Sequence, residues 1–378
     1  SCRLLRTSNF ELAALAAGTA LPAPLDYGLF VPTRWSRPLP TSLAVYLHRI
    51  DPFALGPFSI GSFENVGLRW YGLSYLGGFL AGYLLLRWLA KRRASLLQGA
   101  LVTDFVFSVA IGAVLGGRLG YCLFYDQTLW VTFSDELPYW GVLAVHKGGM
   151  ASHGGILGLV VATLWFARRH HIRPLHLLDL CALASGLGLA FGRLANFING
   201  ELYGRPVASE APWAVKFPTA IKDWPRDAPD RLAELTPLID ELDAGVVGVD
   251  GATWRQTATA IAEHDAPVPD WVYAVLQRIV DLVQQDTVIG RTVADRLREP
   301  GVLLERHPSQ IYAALLEGLL VFTVVFIVWA KPRKPGLAGG IFLMLYGAVR
   351  IFNDFFRTPD RQAINWEYYA LEIGRAHV

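Results

Sequence analysis

Apolar residues run along this chain in six long blocks, at residues 70–90, 101–124, 148–167, 175–198, 308–330 and 335–356. Each has the roughly 20 residues a helix needs to cross the hydrocarbon of a bilayer. Few charges interrupt them. Arg87 closes the first block; Asp104 and Arg118 lie in the second, Asp179 and Arg193 in the fourth, Glu317 in the fifth, and Arg350 and Asp354 in the sixth. The third carries no formal charge, only His153. Between the fourth and fifth blocks the pattern changes to amphipathic. Val272, Val275, Leu276, Ile279 and Leu282 recur at helical spacing within residues 271–283, which predicts a surface helix of a small polar insertion. The expected fold is therefore an all-α polytopic membrane protein with six visible spans and a helical insertion.

Basic residues orient the spans. Lys91, Arg92 and Arg93 follow the first, Arg168, Arg169 and Arg173 lie between the third and fourth, and Lys331, Arg333 and Lys334 lie between the fifth and sixth. All three clusters fall on one side of a six-span arrangement, and the excess of Lys and Arg on short inner loops makes that side cytoplasmic. Residues 125–147 and 199–307 are then extracytoplasmic. The organisation expected is a membrane domain over residues 45–198, an outer loop and insertion over 199–307, and a return to the membrane over 308–360.

Composition agrees. Of 378 residues, 53% are hydrophobic and 17% charged, below the about 25% charged of a soluble domain. The formal net charge of +2 gives no nucleic-acid signature. Cys2, Cys122 and Cys181 are too far apart for a CxxC pair and read as small apolar fillers. No metal or cofactor motif is found. The ends differ from the rest. The chain starts Ser1-Cys2, and its only methionines are Met150 and Met344; residues 1–44 read as an upstream or non-native extension. Residues 361–378 read as a truncated tail, and residues 373–378 (Ile-Gly-Arg-Ala-His-Val) resemble a translated sequencing adapter.

The buried charges carry the chemistry. An arginine at the bilayer centre costs about 2.5–3.5 kcal/mol on insertion scales and is normally paired or faces a cavity. The simpler alternative is snorkelling or a structural ion pair with Asp104, Asp179, Glu317 or Asp354, and for Arg118 and Asp104 it suffices. Arg193 has richer company. The run 192–205 holds Arg193, Asn196, Asn199, Gly200, Glu201, Gly204 and Arg205 where the fourth span leaves the membrane. Glycines let backbone approach a ligand, and the planar arginine fork matches a phosphate, so the run suits an anionic lipid headgroup. In the sixth span Tyr346, Arg350, Asp354 and Arg357 are spaced four, four and three apart, on one helical face. A salt-bridged face is the simpler alternative. His153 lies between glycines at Gly148-Gly149 and Gly154-Gly155, which open space around it. His307 precedes Pro308-Ser309-Gln310 and reads equally as a helix start or a site residue.

Together these segments resemble the bacterial prolipoprotein diacylglyceryl transferases. The run 192–205 resembles that family's signature. Further matches are Arg69-Trp70-Tyr71-Gly72-Leu73, Gly116-Gly117-Arg118-Leu119-Gly120-Tyr121, His153-Gly154-Gly155, Arg306-His307-Pro308-Ser309-Gln310 and the stretch from Arg350 to Asp360. The resemblance covers residues 45–360. It implies a seven-span enzyme of the bacterial inner membrane, with its site toward the periplasmic side. The enzyme would move the diacylglyceryl group of phosphatidylglycerol to the lipobox cysteine of a prolipoprotein signal peptide, releasing glycerol phosphate. By motif position it implies that Arg193 binds the lipid phosphate and that Arg350 is the second essential arginine. Tyr71, His153, Asn196, Asn199, Gly200, Glu201, Gly204, His307, Tyr346, Asp354 and Arg357 would complete the site. It implies no cofactor. The chain departs from the family pattern in three places: Asp354 stands where glutamate is usual, the insertion around residues 219–304 is longer, and the seventh span is absent.

The chemistry needs no cysteine in the enzyme, because the thiol belongs to the substrate. A free thiol has a pKa of about 8.5, so a base or a positive field helps to form the thiolate. His153, with an ordinary pKa of about 6.5, is the candidate base. The arginines would stabilise charge growing on the leaving phosphate. The rival readings are an anionic-lipid binder or anion transporter, which would also use buried arginines but predicts internal repeats; a membrane scaffold; and an intramembrane protease using Ser152 and His153. Adjacent helix positions do not face each other, which disfavours the last.

Overall fold

The computed structural model describes residues 45–358, apart from residues 61–62, 93–94, 135–137, 145–148, 208–210, 243, 264–266 and 332. The extensions expected at residues 1–44 and 361–378, and the seventh span, lie outside the described residues. The chain enters through a short strand β1 (Tyr46–Leu47) and an antiparallel hairpin of β2 (Phe53–Ile60) and β3 (Phe63–Arg69). This hairpin was not predicted. It then forms α1 (Trp70–Lys91), α2 (Leu101–Phe124), α3 (Ser152–Arg169) and α4 (Pro174–Ile198). After the insertion come α8 (Ser309–Trp329), one continuous helix with a π-helical stretch at Ala314–Leu320, and α9 (Leu337–Asp354). Of these six, α1, α2, α4, α8 and α9 are long and apolar enough to cross a membrane.

The third predicted span is the one corrected. It was expected from residue 148, yet α3 begins at Ser152, because Gly149 takes φ +81° and Ala151 is extended. Its three glycines and terminal Arg168-Arg169 also dilute its apolar character. It is held instead by its neighbour. Gly112, Gly116 and Gly120 of α2 face Gly154 and Gly158 of α3, so closely that a Cβ on Gly116 would lie 2.7 Å from the Gly158 Cα. Small residues at spacing four let two helices touch backbone to backbone, the usual device where lipid removes the hydrophobic drive. A second seam joins α4 to α8: a Cβ on Gly318 would lie 2.7 Å from the Ala190 Cα, and one on Gly186 2.8 Å from the Phe322 Cβ.

The basic-cluster ends of the helices converge on one apolar core. It contains Leu86, Leu89, Phe105, Phe166, Leu177, Leu180, Val325 and Trp329. His176 fastens this end, bonding the Ser95 hydroxyl at 3.2 Å and lying against Trp329. Asp179, read as a possible ion-pair partner for an arginine, instead accepts from the Gly336 and Gly339 N–H groups at 2.9 and 2.7 Å. It thereby satisfies orphan donors at the start of α9. Arg118 is also resolved differently from an Asp104 pair. Its guanidinium donates to the carbonyls of Val142, Gly149 and Gly141 at 2.7, 2.9 and 2.6 Å, pinning the loop after α2.

The insertion folds around its own core. Short turns and helices lead to α5 (Gly251–Ala262), α6 (Asp270–Gln284) and α7 (Val288–Arg298). The predicted stripe is real: Val272, Val275, Leu276, Ile279 and Leu282 are buried with Trp254, Leu232 and Leu297. Entry and exit are clamped together. β4 (Val215–Lys216) pairs in parallel with β1 and antiparallel with β5 (Glu305–Arg306).

Candidate functional site

The end of the bundle opposite the apolar core is polar, and the run 192–205 organises it. Helix α4 stops at Ile198, with Asn199 as its last turn. Gly200 then takes φ +65°, a left-handed conformation that suits glycine. The Thr219 hydroxyl donates to the Gly200 carbonyl, and His48 lies beneath, edge-on to Phe197. Beyond the turn the backbone threads between two other segments. Gln310 Nε2 donates to the Glu201 carbonyl at 2.7 Å, and Ser309 Oγ to the Leu202 carbonyl at 3.1 Å. The Gly204 N–H donates to the His307 carbonyl at 2.9 Å, and the Arg205 N–H to the Phe356 carbonyl at 2.8 Å. A Cβ on Gly204 would meet both the His307 and Phe356 carbonyl oxygens at 2.5 Å, so only glycine fits. Three separate motifs of the sequence are thus one hydrogen-bonded unit.

One turn below, the two arginines meet. Arg193 Nη2 lies 3.0 Å from Glu317 Oε2, and Arg350 Nη1 lies 3.5 Å from Glu317 Oε1 and 3.3 Å from Asp354 Oδ1. Asn353 Nδ2 donates to Glu317 Oε1 at 2.9 Å. The Glu317 side chain is fully buried, whereas those of Arg193 and Arg350 keep 18% and 25% exposure. Both guanidiniums are therefore anchored on the buried Glu317 carboxylate, and both side chains remain partly exposed. Asp354, despite its shorter reach, does contact Arg350. Asn196 Nδ2 donates to Glu201 Oε1 at 2.7 Å, fixing the Glu201 carboxylate over the same helix end. The Tyr71 hydroxyl bonds that of Tyr75 at 3.1 Å and lies within electrostatic reach of Glu201 and Arg193.

The remaining predicted residues divide. Tyr346 is half-buried on α9, stacked on Phe342. Arg357 does not share the helical face of Arg350, because α9 ends at Asp354. Its main chain pairs with Gly204 and accepts from Arg205 Nε at 2.8 Å. His307 belongs to the bracket around Gly204, with Nδ1 3.2 Å from the Tyr312 hydroxyl and its ring against Phe356; burial lowers its pKa. His153 is exposed at the start of α3 and makes no side-chain hydrogen bond among the described residues. In the sequence Glu317 stands out only as one possible ion-pair partner. Its signal was present, as the single charge in the most apolar span.

A pair of partly exposed arginines on one buried carboxylate, beside a glycine-containing turn at a helix end, has the donor chemistry for a phosphate group. Comparisons with known proteins bear on the family. The family model described as prolipoprotein diacylglyceryl transferase matches residues 58–376. A protein named phosphatidylglycerol–prolipoprotein diacylglyceryl transferase from Bdellovibrio bacteriovorus is 45% identical over 83% of this chain and 85% of its own length. Proteins of the same name from Rhodospirillum rubrum and Geobacter sulfurreducens are 34% and 33% identical, covering 78% and 83% of this chain and 77% and 84% of their own. On a match that spans all six helices of the bundle, this chain belongs to the prolipoprotein diacylglyceryl transferase family.

Proposed function

We propose that this protein transfers the diacylglyceryl group of phosphatidylglycerol to the thiol of a prolipoprotein's lipobox cysteine, at the outer side of a bacterial inner membrane. The observation that carries the reading is the convergence of Arg193 and Arg350 on Glu317. Two planar donor forks side by side suit one phosphodiester. The cysteine sulfur attacks the glycerol carbon that carries the phosphate. A C–S bond forms, the C–O bond breaks, and its electron pair goes to the oxygen leaving with glycerol phosphate. Negative charge grows on that oxygen, and fixed guanidiniums in a water-poor site stabilise it most where it develops. The thiol proton goes to the His153 imidazole and then to solvent. Tyr71, Asn196, Asn199, Gly200, Glu201, Gly204, His307, Tyr346, Asp354 and Arg357 shape the pocket around the headgroup and the incoming peptide.

The basic clusters at the opposite end are the support for this orientation. They support an arrangement with the arginine pair and the insertion outside, where a secreted substrate and an outer-leaflet lipid would meet.

The test is direct. Purified protein is incubated with phosphatidylglycerol vesicles and a lipobox peptide, and the peptide mass is recorded. A gain of one diacylglyceryl group, lost in Arg193→Ala, is expected. Binding of phosphatidylglycerol without any mass gain overturns the transferase reading in favour of lipid binding or transport. His153→Gln at the wild-type rate removes the base assignment.

A further inference from the structure

The acid at the centre of the arginine pair is placed with unusual care. Glu317 is the one charge between residues 308 and 330, and it sits in the π-helical stretch Ala314–Leu320. Such wider turns re-aim the side chains they carry and concentrate at functional sites. Its neighbour Gly318 touches the α4 backbone at Ala190, one turn before Arg193. That contact brings the Glu317 carboxyl within reach of α4. Its two oxygens then divide the labour. Oε2 takes Arg193 from α4, while Oε1 takes Arg350 and Asn353 from α9. Asn353 is itself fully buried and is the second α9 donor to Oε1.

One carboxylate therefore spans two helices and fixes the separation of two like-charged groups that would otherwise repel. We infer that Glu317 is a positioning residue, which holds Arg193 and Arg350 as an aligned pair so that both guanidiniums meet a single phosphate. This inference rests on the transferase reading above. Its role differs from that of the arginines. A headgroup phosphate is drawn in by the two positive charges whether or not they are aligned. Alignment counts where charge accumulates on the leaving oxygen, and interactions made only there raise kcat. Removing the carboxylate charge should therefore spare binding and slow turnover.

The experiment compares wild type, Glu317→Gln and Asn353→Leu in the peptide-lipidation assay, with the active fraction of each titrated. Glu317→Gln should lower kcat by at least about tenfold while KM for phosphatidylglycerol stays within about threefold of wild type. Asn353→Leu keeps all the charges and removes only the brace, so it should lower kcat by about three- to tenfold with KM unchanged. A merely structural glutamate would lower the active fraction and leave kcat per active molecule intact, which overturns the inference. Where Glu317→Gln does not fold, Asn353→Leu decides alone: unchanged kcat overturns the inference, and reduced kcat at constant KM supports it. Wild-type protein that transfers nothing overturns the transferase reading and this inference with it. Wild-type turnover with unchanged kcat in the folded variants overturns the inference alone.

Discussion

Arg193 offers a fork, and a fork is not replaced by a point charge. Arg193→Lys keeps the positive charge but cannot hold Glu317 and a phosphate in one plane; turnover should fall at least about tenfold, read as peptide mass gain per minute. A second residue-scale consequence concerns His48. Burial pushes its pKa down from 6.5 to about 4, and it is 1% exposed beneath the Gly200 turn. The unfolded chain therefore binds a proton between these values that the folded chain does not. Stability is complete above about pH 6.5 and is lost as pH falls, by about 1.4 kcal/mol per unit until pH 4. Melting in detergent at pH 7 and pH 5 should differ by about 2 kcal/mol from this group, and His48→Phe should abolish that part of the difference. His48 was not legible as important in the sequence. A histidine near the start of the chain gives no hint that a strand of two residues will carry it under a motif 150 positions later. Arg193 and Arg350 were legible because charge inside apolar blocks demands an explanation. Their shared anchor was not, because spacing along one helix says nothing about which acid on another helix it meets.

At the scale of elements, five of the six spans were legible from block length alone, and their ends were set by backbone chemistry that block length does not encode. The Gly149 turn delays α3, and Gly336, at φ +96°, delays α9 until Leu337, where Asp179 caps it. The α2–α3 seam is also a packing fact, visible in sequence only as glycines four apart. Gly116→Ala should force the two helices apart, since its Cβ would meet the Gly158 Cα at 2.7 Å. Overpacking of this kind costs about 1–3 kcal/mol, measurable as a lower melting temperature. His153 sits beside Gly154 in this seam, so the same variant should also slow lipidation if that histidine accepts the thiol proton.

For the whole molecule, the buried residues sort by depth. Within the bundle the main apolar core lies near the basic clusters, whereas Asn196, Ser309, Gln310, Glu317 and Asn353 are buried toward the other end. The orientation proposed above is tested by labelling. Cys122 and Cys181 are buried, so in a Cys2→Ser background a membrane-impermeant maleimide should label Arg255→Cys on the insertion in intact spheroplasts. Arg169→Cys should label only after lysis; the reverse pattern inverts the topology. The insertion is expected to melt as its own unit when Trp254, fully buried in its core, is cut to alanine, a change worth about 3–5 kcal/mol. Limited proteolysis should then cleave between residues 224 and 298 before any membrane helix. The clamp of β4 against β5 gives this module a practical meaning. Its two ends leave the bundle side by side, so the span between them can be exchanged without altering the distance the membrane helices must bridge. A rigid, well-recognised fusion grafted there, downstream of Asp223 so as to spare Thr219 and its grip on Gly200, would give this small, lipid-embedded protein a fiducial for electron cryomicroscopy.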